Sequence, residues 1–231
     1  MKYVLFVLLQ LFAINIFAQA PMTTRSYTEF QLLEHVFQQK STGDLSEDNI
    51  EGSPYLNKEY EIGEVLTEKH VRYVNVPLRY NIYSNEIEFK NAKGQTLSID
   101  FPGNIKEVKI GHAVFVYRLY SFSHKKLSAG YFQLMNRGKV EGLIHYRVIF
   151  KAAEPALAYK EARPPTFEQK PAYYFVSIQK KPAVQVKNLK ALITLLGNHK
   201  KELEAFARKE KIKVRRKNDL MRLLQYYNSI Q

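Results

Sequence analysis

Apolar and polar residues alternate through the middle of this chain. Between Tyr60 and Phe150, runs rich in Val, Ile, Tyr and Phe are separated by Gly, Asn, Ser and Pro, which tolerate tight turns. Leu97 and Ile99 flank a polar residue, as in a strand with one buried face. The predicted strands lie near residues 60–67, 71–83, 86–90, 95–101, 105–120, 130–136 and 139–150. We therefore expect an antiparallel meander that curls or half-closes.

Pro77 lies inside the second of these predicted strands. Proline has no backbone N–H and cannot donate a hydrogen bond to a neighbouring strand. The sequence therefore predicts a free edge or a bulge at this position.

A helix is predicted before the meander. Ser26 and Glu29 have the spacing of a capping box, in which each side chain satisfies a free backbone N–H at a helix start. Phe30, Leu33 and Phe37 follow at helical spacing. These residues predict a helix of about three turns that ends near Lys40.

Helical spacing returns in the last part of the chain. One helix is predicted from Leu189 to Leu196, with Gly197 as its end signal. Asn198 and Asn218 are predicted to cap two further helices, because asparagine side chains accept hydrogen bonds from free N–H groups at helix starts.

Together these patterns predict an α+β protein: an antiparallel, curled β-meander sheet with an amino-terminal helix and a basic carboxy-terminal three-helix tail. The predicted organisation is a signal peptide at residues 1–18, an antiparallel β domain with its helix at 19–151, a proline-rich connection at 152–171, a β-hairpin at 172–187 and the basic helical tail at 188–231.

The amino terminus resembles an export signal. An apolar run follows Lys2 and ends at the small residue Ala18. The run is shorter than the roughly 20 residues of a membrane span. The chain has no cysteine, which excludes disulfides, thiol catalysis, thiolate metal sites and a lipid-bearing cysteine. We expect a periplasmic or extracellular protein that is not a lipoprotein and has no transmembrane segment after cleavage.

Positive charge is concentrated in the last third of the chain. The net charge is +13, and residues 151–231 carry 18 Lys or Arg against 7 Asp or Glu, whereas residues 19–150 carry 16 against 15. The densest cluster includes Lys213, Arg215, Arg216 and Lys217. This cluster is a candidate docking surface for an anionic lipid headgroup, a glycan or an acidic envelope protein. A solvated helix face is the alternative, and export argues against a nucleic-acid partner.

Two stretches of sequence are distinctive: Gly-Ser-Pro-Tyr-Leu-Asn at residues 52–57 and Val-Pro-Leu-Arg-Tyr-Asn-Ile-Tyr, followed two residues later by Glu-Ile-Glu-Phe, at 76–89. With the closing Tyr226-Tyr227-Asn228, they resemble an uncharacterised family of small exported proteins from Bacteroidota-type bacteria. The resemblance implies localisation and fold but no chemistry.

Polar and aromatic residues of the second stretch form a candidate partner-binding patch. In a hairpin, Glu86 and Glu88 would share one face, and Arg79 or Lys90 could pair with them. The alternative is an ordinary solvated face with cross-strand ion pairs. The residues of the patch are Arg79, Tyr80, Asn81, Tyr83, Glu86 and Glu88.

Catalytic and metal-binding motifs are absent from the sequence. The six histidines have no metal-ligand spacing, and there is no nucleophile elbow or glycine-rich phosphate loop. We expect no cofactor and a non-enzymatic envelope binding or scaffold protein. A carrier of an apolar ligand in a curved sheet is the second interpretation, and a hydrolase with a spatially assembled site is the third.

Overall fold

The computed structural model of the protein describes residues 22–32, 37–39, 50–99, 102–122, 126–156, 158–159 and 161–231. The predicted signal peptide lies outside the described residues. The strands are β1 (Thr23–Arg25), β2 (Phe37–Gln39), β3 (Glu51–Gly52), β4 (Glu61–Thr67), β5 (Val71–Asn81), β6 (Glu86–Lys90), β7 (Thr96–Ile99), β8 (Ile105–Ile110), β9 (Ala113–Ser121), β10 (Ser128–Leu134), β11 (Val140–Lys151), β12 (Thr166–Ile178) and β13 (Ala183–Gln185). The helices are α1 (Tyr27–Gln31), α2 (Leu189–Leu196), α3 (Lys200–Lys209) and α4 (Lys217–Ser229), with a short 3-10 turn at Pro102–Asn104.

The α+β class predicted from the sequence is confirmed. The described strands form one sheet in the order β10-β11-β12-β13-β9-β8-β4-β5-β6-β7-β2, with β1 beside β5 and β3 beside β12. The sheet is mixed rather than purely antiparallel, because β1–β5, β3–β12 and β9–β13 are parallel pairs. Each of these pairs joins segments far apart in sequence, which a meander pattern does not reveal.

Strands β9 to β13 form a closed circuit of pairings. β9 pairs with β10, β10 with β11, β11 with β12 and β12 with β13, and β13 returns to pair with β9. We call this unit the five-strand ring. Its interior is a small aromatic core built on Phe132, Leu143 and Phe175, each 0 % exposed.

Two further cores lie beside the ring. Phe30 of α1 packs with Tyr73 and Phe89 under β4–β9, with ring centroids 5.1 Å apart in both pairs. The tail helices share the other core with the sheet, where Val140 and Val176 contact the helical leucines. The helical tail is therefore packed on the sheet rather than separate from it.

Pro77 lies at a partly free edge of β5, as the sequence predicts. It pairs with Ile62 of β4 on one side. On the other side of β5, β1 pairs only with residues 71–73 and β6 only with residues 78–81. Pro77 thus lies at a gap between two neighbouring strands, where no partner needs its missing N–H.

The predicted amino-terminal helix is too long. The capping box is present: Ser26 Oγ accepts a hydrogen bond from Glu29 N, and Glu29 accepts one from Ser26 N. However, α1 ends at Gln31, and Phe37 belongs to β2, which pairs with β7. Pairing with a distant strand overrides the helical spacing of Phe37.

Two strand boundaries also require correction. The predicted strand 105–120 is a hairpin, because Gly111 and His112 form a two-residue turn between β8 and β9, with a φ of 55° at Gly111. The predicted connection 152–171 ends earlier, because β12 begins at Thr166. Pro171 is tolerated inside β12 because the register with β11 shifts opposite it.

Two predicted helix caps are also wrong. Asn188 caps α2 through a hydrogen bond from Ala191 N, 2.8 Å, and Gly197 ends it as predicted. By contrast, His199 in a left-handed conformation precedes α3, and Arg216 precedes α4. Asn198 and Asn218 are therefore not the N-caps.

Candidate functional site

The two distinctive stretches of sequence meet in space. The loop after β3 lies along β5, where Leu56 N donates to Tyr80 O at 3.0 Å and Ile82 N donates to Pro54 O at 2.8 Å. Tyr55 forms an isolated β-bridge with Asn81 and is 3 % exposed. The first stretch therefore covers the polar face of the second.

Arg79 is at the centre of this unit. Its Nη2 lies 2.8 Å from Glu88 Oε2 in the directly opposite position of β6, which is one of the ion pairs that the sequence allowed. The guanidinium lies 3.4 Å from the ring centroid of Tyr55 and 4.5 Å from that of Tyr60. Nη1 also donates to Lys58 O at 3.2 Å. We call Arg79, Glu88, Tyr55 and Tyr60 the arginine clamp.

Both carboxylate oxygens of Glu88 are paired, whereas Arg79 Nε is buried without a hydrogen-bond partner among the described residues. Asn81 Nδ2 donates to the other Glu88 oxygen at 2.9 Å. Burial opposes the charge on Arg79, but the hydrogen bond to Glu88 and the nearby Tyr60 and Tyr55 rings outweigh it and raise the pKa of Arg79 above its usual value. Burial therefore does not neutralise Arg79, and the guanidinium keeps its positive charge beside Glu88.

Most of the predicted patch lies in the interior. Glu88 is 0 %, Tyr80 2 % and Asn81 9 % exposed, and burial raises the pKa of the Tyr80 phenol. Glu86 is half-buried at the start of β6. Tyr83 is 52 % exposed and packs edge-on against Phe167. A partner that touches this region would thus meet Tyr83 and the loop, not the clamp charges.

The closing Tyr226-Tyr227-Asn228 also has structural roles. Tyr226 stacks on Phe206 with centroids 4.1 Å apart, and Tyr227 Oη donates to Leu196 O at 2.9 Å. Asn228 Oδ1 accepts from Val140 N and its Nδ2 donates to Val140 O, at 3.0 and 2.9 Å. Asn228 therefore binds the edge of β11 as another strand would.

His145 of β11 lies among the aromatic rings of the five-strand ring. His145 lies 5.2 Å from Phe132 and 5.5 Å from Tyr120, measured between ring centroids. Its Nδ1 is buried and has no hydrogen-bond partner among the described residues. Burial lowers the pKa of His145 below its usual 6.5, and the nearby Arg147 charge acts in the same direction.

This environment predicts a pH-dependent stability. Because the folded pKa of His145 is depressed, its stabilising contribution is complete above about pH 6.5 and is lost as the pH falls through the folded pKa. Wild type should therefore lose more thermal stability between about pH 7.5 and about pH 5 than His145→Phe does. The exposed His112→Gln variant is the control and should follow wild type. If His145→Phe lost as much thermal stability as wild type over this pH range, protonation of His145 would not destabilise the folded protein.

Three of the four predicted basic residues lie in the link between α3 and α4, and the fourth, Lys217, is the first residue of α4. Ile212 and Val214 are buried, at 8 % and 6 % exposure, and point into the tail core. Lys213, Arg215, Arg216 and Lys217 are exposed. We call these four residues the basic loop.

The backbone of the basic loop is fixed. Lys213 N donates to Asp219 Oδ2 at 3.0 Å, and Arg216 N donates to Lys213 O at 2.8 Å. Among the described residues, no ion pair joins a carboxylate to the side chain of any basic-loop residue. The neighbouring acids are engaged elsewhere, since Glu210 pairs with Arg222 and Glu204 with Lys200. The loop thus presents a net positive charge on a fixed backbone, with the Asp219 carboxylate held against Lys213 N.

An open groove lies between β13 and α2. Its volume is about 670 Å³, and its apolar wall includes Phe122, Val184 and Leu195. Ten of its eleven lining residues lie within residues 184–195, and the pairing of β13 with β9 brings Phe122 beside them, which no local sequence pattern indicates. Phe122, an aromatic residue 42 % exposed, is its clearest feature.

In the part of the chain that the structure describes, no group of three His, Asp or Glu residues could hold a metal ion. Within the same residues, no helix is long and apolar enough to cross a membrane.

Comparison with known proteins identified no relative of this chain. No family model, no curated protein and no solved structure matches the chain.

Proposed function

We propose that this chain is an exported, non-enzymatic binding or scaffold module of the cell envelope, and that it docks through the basic loop. The observation that carries the proposal is the alternation of buried Ile212 and Val214 with the exposed cations of the loop. Such anchoring holds several positive charges outward at little cost in conformational entropy when an anionic surface binds.

The target we favour is a membrane rich in anionic phospholipid headgroups. Each Lys or Arg near such a surface contributes up to about 1 kcal/mol, and the attraction fades within a Debye length of about 10 Å at 0.1 M salt. We also propose that the protein is periplasmic or extracellular and that it belongs to the exported family that the two distinctive stretches resemble. The sheet is proposed to curl where the five-strand ring closes.

A carrier of an apolar ligand is the second candidate, favoured by the groove between β13 and α2. The filled interior of the five-strand ring argues for placing any such ligand in the groove and not inside the ring. The hydrolase interpretation has no comparable support among the described side chains.

Liposome co-sedimentation tests the docking proposal. Wild type should bind vesicles of anionic phospholipid at low salt, and binding should weaken as salt rises. The variant with Arg215, Arg216 and Lys217 all changed to Gln should bind at least about tenfold more weakly, since three charges are removed.

The matched control changes Lys69, Lys93 and Lys126 to Gln, which removes the same charge from exposed sites outside the tail. If both triple variants lose the same affinity, net charge and not the basic loop drives docking. If wild type binds neutral vesicles equally well, or binds cell-wall glycan or an acidic protein but no vesicle, the membrane target is wrong.

A further inference from the structure

The groove between β13 and α2 has the dimensions of a small-molecule site. Its volume of about 670 Å³ lies within the range of about 300–1,000 Å³ typical of ligand pockets. Val184 and Val186 of the β13 segment form one side, and Ala191 and Leu195 of α2 form the other. A slot of this kind between a strand and a helix can hold an extended apolar chain.

Phe122 makes the groove wall rigid. Its ring packs edge-on against Tyr173 and Phe175, with centroids 5.8 and 5.4 Å apart. It also lies 5.5 Å from Tyr120. These contacts hold one face of Phe122 against the aromatic cluster of the five-strand ring while the side chain remains 42 % exposed. The apolar wall is therefore formed before any ligand arrives.

The charged residues of the groove are all of one sign. Lys187 and Lys190 line it and are exposed, and no Asp or Glu is among its lining residues. Among the described residues, neither lysine forms an ion pair with a carboxylate. Two cations beside an apolar slot match a ligand with an anionic head and an apolar tail, because each part then meets a complementary surface.

We propose that this groove binds a single-chain anionic amphiphile of the fatty-acid class. The acyl chain lies along Phe122, Val184 and Leu195, and the carboxylate accepts hydrogen bonds from Lys187 and Lys190. No residue of the groove belongs to the basic loop, so this site stands whether or not the protein docks on membranes.

Tryptophan fluorescence provides a direct test. The chain contains no tryptophan, so Phe122→Trp introduces a single reporter at the groove wall. Titration with monomeric dodecanoate, below its micelle concentration, should shift the emission of this residue in a saturable way. Dodecanol should bind more weakly, and dodecyltrimethylammonium should bind least, because the lysines repel it. Calorimetric titration of wild type with dodecanoate checks that the reporter itself does not create the site.

Two changes locate the site. Ala191→Phe fills the slot and should abolish the saturable signal. Changing Lys187 and Lys190 to Gln should weaken dodecanoate binding by about threefold to tenfold, as expected for the loss of two exposed ion pairs. The affinity for dodecanol should not change. Changing Lys180 and Lys181, an exposed pair outside the groove, to Gln removes the same charge and should have no effect.

Four outcomes would overturn the proposal. They are a flat titration with dodecanoate in both assays, an equal response to the cationic amphiphile, full binding by Ala191→Phe, and tighter binding of a short acidic peptide than of dodecanoate. The last result would assign the groove to a peptide partner instead.

Discussion

Replacing Glu88 with Ala should lower the free energy of unfolding by about 3–5 kcal/mol, because it leaves the Arg79 guanidinium buried without its counter-ion. Glu88 is 0 % exposed and accepts hydrogen bonds from both Arg79 and Asn81. A loss of this size is a large part of the roughly 5–15 kcal/mol that stabilises a typical domain. Urea denaturation followed by far-ultraviolet circular dichroism measures it.

Glu64 provides the matched control on β4. It lies 3.7 Å from Arg72 and 3.6 Å from Lys109, and its side chain is 34 % exposed. Exposed ion pairs contribute at most about 1 kcal/mol, so Glu64→Ala should cost much less than Glu88→Ala. Equal, small losses for the two variants would mean that the clamp is solvated, and the exposed binding patch would regain support.

A double variant separates the charge from the packing. Changing Arg79 to Met and Glu88 to Leu removes both charges and keeps most of the apolar contact with Tyr55 and Tyr60. Because no charge is then left unpaired, this variant should be more stable than Glu88→Ala alone. If it is less stable, the guanidinium–tyrosine contacts stabilise the protein by more than the burial of the unpaired Arg79 charge destabilises it.

The arginine clamp shows which parts of the site could be predicted. Local spacing predicted that Arg79 or Lys90 could pair with Glu86 or Glu88, and the register of the hairpin selects Arg79 and Glu88. The covering of that pair by Tyr55 did not, since the loop arrives from 24 residues earlier. The same residues therefore looked like a surface patch in the sequence and are a buried unit in the fold.

In the sheet, too, local features were predicted and long-range pairings were not. Strands β4 to β7 were predicted nearly to the residue, because alternation and turn residues are local signals. The turn at Gly111 and His112 was missed, because the apolar residues on both sides of it form one long run in the sequence, although glycine is common in two-residue hairpin loops. The parallel pairing of β13 with β9 had no local signal, yet it closes the five-strand ring and brings Phe122 to the groove.

Leu143→Ala should destabilise the protein by about 3–5 kcal/mol, because it opens a cavity inside the five-strand ring. Leu143 is 0 % exposed and packs with Phe132 and Phe175. Leu119, on β9 of the same ring, is 51 % exposed, and Leu119→Ala should cost less than about 1 kcal/mol. The pair compares the same side-chain truncation on the inside and the outside of one unit, and the midpoint and slope of urea denaturation measure both.

The two leucine variants also distinguish a carrier that holds its ligand inside the five-strand ring from a protein whose ring is filled. A carrier that holds its ligand inside the ring needs a loosely packed interior, and truncation there would cost little stability while creating or enlarging a binding cavity. A large loss for Leu143→Ala, with no gain in dodecanoate binding, is instead the result expected of a filled core. It would confine ligand binding to the groove on the outside and leave the ring as the rigid support for Phe122. A small loss accompanied by new dodecanoate binding would place the apolar ligand within the ring and make the carrier the better interpretation of the protein.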